Sequence, residues 1–250
     1  MNRREALTTL SAAALATAVT GERTMAQDDK TIAVIGTGRM GGAFGKLFSG
    51  AGYTVVYGSR NPAEEKVQAV VKATSGATAM SAKDAAAKAG IVVLATPWTA
   101  TEATIKSMGD LTGKLILDPT NAISFGKDGA GLSVATSGGE LVRDWAKGAA
   151  VVKAFNTVGY FVIADPKVLD GKVAVFLASD DAAAKDKVMA MVNGLGFEAV
   201  DVGPMRNARV LEGMSTLYMV PYMSGKPDQR FEWAVRRSGG VKLGPVRPAG

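Results

Sequence analysis

From Lys30 onward, short and nearly unbroken apolar runs alternate with longer segments in which apolar residues recur every three to four positions. The runs TIAVIG (31–36), YTVVYG (53–58), IVVLAT (91–96), KLILD (114–118), AVVKAF (150–155), VAVFLA (173–178) and FEAVDV (197–202) read as strands. They lack the polar alternation of a half-exposed strand, so both faces are buried, as in a parallel sheet covered by helices. Helical patterns fill the intervals 39–51, 63–74, 81–89, 99–108, 138–147 and 181–195, and Pro204 suits the first position of a last helix over MRNARVLEGMSTLYM. This alternation predicts an α/β fold with a doubly wound, mostly parallel sheet. The connection NAISFGKDGAGLSVATSGG (121–139) is long and rich in Gly and Ser, which predicts a loop that is mobile or ordered by a ligand.

Chemistry enters at the first strand. The segment IAVIGTGRMGGAFGKLF sets Gly36, Gly38 and Gly41 in G-x-G-x-x-G spacing between a predicted strand and a predicted helix. In that context the first glycine allows the tight turn and the second lets the backbone approach a pyrophosphate. The third permits close packing of helix on strand, and the helix N-terminus faces the anion. A dinucleotide site that prefers NAD carries a carboxylate at the end of the second strand. Here that strand ends Tyr57-Gly58-Ser59-Arg60-Asn61, with no acid before Glu64. A hydroxyl and a guanidinium, with Lys66 or Arg39 in support, suit the 2′-phosphate of NADP instead.

In an open parallel sheet, ligands lie beyond the carboxyl ends of the strands. Those ends carry residues 37–40, 59–61, 95–98, 118–121 and 155–157. Ala95, Thr96 and Pro97 are small enough to admit a nicotinamide against the backbone, and Asn156 and Thr157 suit its carboxamide. Trp98 is expected chiefly to pack.

Composition narrows the chemistry further. The chain has no Cys and no His, which excludes thiol nucleophiles, histidine bases and the usual zinc sites. Its acidic residues show no clustered spacing for a metal, so none is expected. The net charge is +6, and the segment 226–250 carries much of it as a basic tail, expected to be a solvated helix with a frayed end. Without a basic face interleaved with aromatics, nucleic-acid binding is not expected. The start, MNRREALTTLSAAALATAVTGERTMA, pairs Arg3-Arg4 with a short Ala-rich run and ends in Thr-Met-Ala. It resembles a twin-arginine (Tat) export signal, which implies a periplasmic protein with no stable membrane anchor. A start at Met25 would make it cytoplasmic.

The motifs GTGRMGGAFGKLF, VVYGSRN, VVLATPW, DPTNAISF, GLSVATSGGELV, VVKAFNTVGY and GPMRNARVLEGM together resemble the deazaflavin (coenzyme F420)-dependent NADP oxidoreductases, from residue 31 to roughly 220. The resemblance implies an NAD(P)-binding Rossmann domain with a small C-terminal helical lid. It places Thr37, Gly38, Arg39, Met40, Ser59 and Arg60 at the NADP, and Ala95, Thr96, Pro97, Trp98 and Asn156 around the nicotinamide. No side chain is expected to act as an acid or base, since hydride passes between two closely apposed rings. The domain expectation is an export signal (1–26), a Rossmann domain (30–160), remaining strands and lid (161–225) and the basic tail (226–250). The functional expectation is hydride transfer between NADP and a small-molecule planar acceptor, coenzyme F420 first. Flavin, quinone or a ferric chelate is the alternative, as is a non-catalytic NADP(H) sensor, and a homodimer stays open. The acceptor is expected between the crevice and residues 203–219, with Arg206, Asn207 and Arg209 facing an anionic tail or else paired with Glu212.

Overall fold

A computed structural model describes residues 30–127 and 129–237. The expected export signal and the end of the basic tail lie outside the described residues.

Six strands form the central sheet: β1 (Thr31–Ile35), β2 (Thr54–Gly58), β3 (Thr78–Met80), β4 (Ile91–Leu94), β5 (Leu115–Asp118) and β8 (Ala150–Lys153). All pair in parallel, in the order β3-β2-β1-β4-β5-β8. Alternate residues of β1 divide the core. Ile32 and Val34 join Phe44, Phe48, Phe155 and Phe197 on one face, while Ala33 and Ile35 join Ala85, Ile105 and Val142 on the other. The first face is covered by α1 (Arg39–Gly50), α6 (Tyr160–Ala164) and α7 (Ala182–Gly194). The second is covered by α3 (Ala82–Lys88), α4 (Trp98–Ser107) and α5 (Gly138–Trp145). The doubly wound α/β architecture expected from the apolar runs is the one observed, and α2 (Glu65–Lys72) completes the β2–β3 crossover.

Several features depart from the sequence pattern. Strand β3 has only three residues, too few to show a period. The 121–139 connection is not a featureless loop, because β6 (Ile123–Gly126) and β7 (Gly129–Leu132) pair there as an antiparallel hairpin. Strands β9 (Ala174–Leu177) and β10 (Glu198–Asp201) form their own parallel pair, and an antiparallel bridge between Lys153 and Ala178 links it to the main sheet. Pro204 does not open the last helix. It precedes a 3-10 turn (Met205–Asn207), after which α8 runs from Ala208 to Met223 with Pro221 inside it.

The basic tail also differs from the helix expected. Beyond a 3-10 turn at Pro227–Gln229, residues 230–237 lack helix and lie back on the domain as a strap. Trp233 accepts the Ala174 N–H through its carbonyl at 2.7 Å, Phe231 packs edge-on against Tyr218, and Arg237 pairs with Glu198. The strap is thus held by a backbone hydrogen bond, an aromatic edge contact and an ion pair to residues distant along the chain.

Candidate active site

The strand order reverses between β1 and β4, and the glycine turn lies at that switch point. Its three glycines serve three purposes. Gly36 has φ +112°, and a Cβ there would meet the Ala95 carbonyl oxygen at 2.3 Å. A Cβ on Gly41 would lie 2.0 Å from the Gly36 oxygen, so the third glycine lets α1 sit on β1. Gly38 is different: a Cβ would meet nothing within 4 Å. That open space adjoins the start of α1, which has no side-chain cap and no acid in its first turn. A helix start with uncapped N–H groups is an anion site, and an open glycine in front of it fits a pyrophosphate.

At the end of β2, Ser59 is half-buried and its Oγ accepts the Asn61 N–H at 3.3 Å. Arg60 is exposed and forms no ion pair among the described residues. Lys66 is taken by Glu64 at 2.8 Å, and the Arg39 guanidinium stands 5.7 Å from the centre of the Tyr160 ring. Thus the cationic group expected for a 2′-phosphate is present at Ser59-Arg60, whereas the supporting roles suggested for Lys66 and Arg39 begin from other partners.

Across the switch point, Ala95 donates its N–H to the Ile35 carbonyl, and Thr96 and Thr101 share a hydroxyl contact of 3.0 Å. Pro97 precedes α4, which starts at Trp98. Trp98 stacks on Trp145 with centroids 5.4 Å apart, so its ring packs α4 against α5, as expected of it.

Asn156 follows Phe155, which takes a left-handed φ of 63° that non-glycine residues rarely adopt. The Asn156 amide donates to Asn121 Oδ1 and the Leu211 carbonyl, both at 3.0 Å, and its own backbone carbonyl accepts from Asn121 and Ser215. Its Oδ1 is buried and has no partner among the described residues. Both amide hydrogens are therefore committed, and the group left for a carboxamide is an acceptor oxygen, which fits an amide N–H.

Beside Asn156 lies a charged cluster that the sequence pattern did not reveal. Lys153, Asp118 and Glu212 are all fully buried. The Lys153 ammonium contacts Glu212 at 2.8 Å and Asp118 at 3.1 Å, and also donates to the Thr120 carbonyl. Burial by itself would depress this ammonium, but the two carboxylates more than offset it and hold the group above the ordinary lysine range. Asp118 also accepts from the backbone and hydroxyl of Thr120, and Glu212 accepts the N–H groups of Gly138 and Gly139 at the start of α5. The paired glycines make room: a Cβ on Gly139 would meet both Ala208 and Met205 at 2.9 Å. A lysine inside the apolar run VVKAF and a glutamate within a largely apolar helix were the available signals.

Glu212 therefore does not pair with the nearby arginines. Arg209 instead holds Glu140 through two bonds of 2.8 Å, and Asn207 donates to the Val202 carbonyl. Of the trio expected to face an anion, the exposed Arg206 makes no such engagement among the described residues. A groove of about 560 Å³ separates the hairpin from the outer side of α8, lined by Lys127, Ala130, Leu217, Val220 and Met223 among others, and none of the proposed nucleotide residues lines it. Among the described residues there is no acidic cluster able to hold a metal ion, and no helix is long and apolar enough to cross a membrane.

The parallel sheet in this order, with its glycine turn at the switch point, defines a dinucleotide-binding α/β protein. Comparison with known proteins goes further. Residues 31–122 match the model of a family described as NADP oxidoreductase, coenzyme F420-dependent. The F420-dependent NADP reductase of Methanothermobacter marburgensis is 30% identical over 206 residues, covering 74% of this chain and 89% of that protein. The crystal structure of a proposed F420-dependent NADP-reductase from Arthrobacter sp. FB24 superposes with a TM-score of 0.74 at 27% identity, covering 82% of this chain and 99% of that one. Metalloreductase STEAP3 of Rattus norvegicus is 26% identical over 189 residues, 73% of this chain but 36% of that much longer protein. The chain belongs to the F420-dependent NADP oxidoreductase family.

Proposed function

We propose that this protein binds NADP(H) in the β1–β4 crevice and transfers hydride between it and a planar redox acceptor, coenzyme F420 being the leading candidate. The observation that carries this reading is the uncapped start of α1 behind the open Gly38, next to a half-buried Ser59 and an exposed Arg60 where an NAD site would keep a carboxylate. NADP supplies the hydride chemistry when bound. The chain's own part is to hold and shield: Gly36 to Gly41 receive the pyrophosphate, with Thr37, Arg39 and Met40 along its path, and Ser59 and Arg60 receive the 2′-phosphate. Ala95 to Pro97 give a small-residue wall beside the reacting ring, and Asn156 Oδ1 accepts from its carboxamide. Trp98 supports that wall from behind through Trp145. The acceptor lies toward α8 and the β6–β7 hairpin, which forms within the 121–139 connection.

Flavin or ferric-chelate reduction is the second reading, favoured by the similarity to a metalloreductase. We place the protein in the periplasm on the strength of the Arg3-Arg4 leader. The test is stopped-flow oxidation of protein-bound NADPH by deazaflavin, free flavins, quinones and ferric chelates. Faster oxidation by deazaflavin than by the others supports the first reading, and a flavin or ferric preference supports the second. If no acceptor exceeds the protein-free rate, the enzyme reading fails and NADP(H) sensing replaces it.

A further inference from the structure

The Lys153–Asp118–Glu212 cluster contains more negative than positive charge. Among the described residues, the hydrogen bonds and ion pairs to the Asp118 and Glu212 carboxyl groups come from Thr120 N–H and hydroxyl, the Lys153 ammonium, and the N–H groups of Gly138 and Gly139. One lysine ammonium thus faces two carboxyl groups, a formal surplus of one negative charge. The partial positive charge at the start of α5 offsets about half of the remainder. The cluster also adjoins the residues proposed for the nicotinamide. Thr120 joins it to Asn121, which bonds Asn156. On the other side, the Glu212 carboxylate and the Trp98 ring edge each stand 3.0 Å from the point where a Gly138 Cβ would be.

The two redox states of a nicotinamide differ by one positive charge, present on NADP+ and absent from NADPH. From this placement we infer that the surplus negative charge of the cluster favours the oxidised, cationic ring in the crevice and so makes bound NADPH the stronger hydride donor, directing flow from NADPH to the acceptor. The inference rests on the nucleotide lying where the proposed function puts it. It assigns to Asp118 and Glu212 an electrostatic role in addition to joining α5, α8 and β8.

The experiment measures separate Kd values for NADP+ and NADPH by fluorescence titration on the full chain. Glu212→Gln and Asp118→Asn each remove one negative charge with little change in shape. A unit charge about 10 Å away, at an effective dielectric of about 20, changes the binding of a cation by roughly tenfold, so the NADP+ to NADPH Kd ratio should rise at least about threefold in either variant. A purely structural role would weaken both nucleotides together and leave the ratio alone. The conservative Glu212→Asp keeps the acidic group in place and should hold the ratio close to that of the parent. A ratio that moves less than about threefold in whichever charge-removing variant folds overturns the inference. If the parent protein binds neither nucleotide, the failure belongs to the proposed function instead.

Discussion

Substituting alanine for Gly38 and, separately, for Gly41 separates folding from nucleotide binding at one turn. A Cβ on Gly41 would stand 2.0 Å from the Gly36 carbonyl oxygen and 2.8 Å from its carbon, both backbone atoms that no rotamer change can move aside. Relief requires α1 to back away from β1, and overpacking of this kind costs roughly 1–3 kcal/mol or more. At about 2–4 °C per kcal/mol for a domain of this size, Tm should fall by about 2–12 °C. The Gly38 position has nothing within 4 Å and a φ of −76°, which alanine adopts freely. Only the N-cap preference is lost, about 0.5–1 kcal/mol. The added methyl nevertheless occupies the space assigned to the pyrophosphate, and NADPH affinity should drop at least about tenfold, or about 1.4 kcal/mol. The assays are thermal melting without ligand and NADPH titration. If Gly38→Ala binds NADPH as the parent does, the pyrophosphate does not lie there and the assigned turn geometry is wrong. If Gly41→Ala melts with the parent, the close approach of α1 to β1 is not what the third glycine provides.

Arg60→Asp should reverse the preference for NADP over NAD, because a charge-assisted phosphate contact worth about 1.5–3 kcal/mol is replaced by repulsion; an unchanged NADP/NAD affinity ratio would refute the role of Arg60. The Glu232 carboxyl of the strap is pushed up to about 7 by burial, against the opposing bonds from Tyr218 and the Gly159 N–H. The folded state then holds a proton that the unfolded state has already released, so this group's contribution to stability falls as pH rises from the ordinary glutamate range through 7. Melting curves of Glu232→Gln should lie above those of the parent at pH 8 and converge with them near pH 4, and curves displaced equally at every pH would contradict this. Intact-mass analysis of the protein purified from its cell of origin should find a periplasmic chain lacking residues 1–26, and a cytoplasmic chain beginning at Met1 or Met25 would end the export proposal.

The sequence determined the parts of this protein that follow from local pattern. Apolar runs such as IAVI and IVVL must be buried on both faces, and that alone implies a parallel sheet with helices on either side. The spacing of Gly36, Gly38 and Gly41 between a strand and a helix likewise carries its own conformational meaning, and the missing carboxylate before Ser59-Arg60 is a local fact. Contacts distant along the chain were decided only by the tertiary structure. Lys153 and Glu212 are 59 positions apart and look like ordinary charges until β8 and α8 bring them together with Asp118 in a site closed to water. The Asn156 amide looked free for a ligand until Asn121 and Leu211 took its hydrogens. The strap follows the same rule: its charges are local, but the Tyr218, Gly159 and Ala174 partners that hold it are distant along the chain. Periodicity reports which face of an element is buried, whereas the partner it meets there depends on chain topology, and buried ionic contacts exist only once that topology is complete.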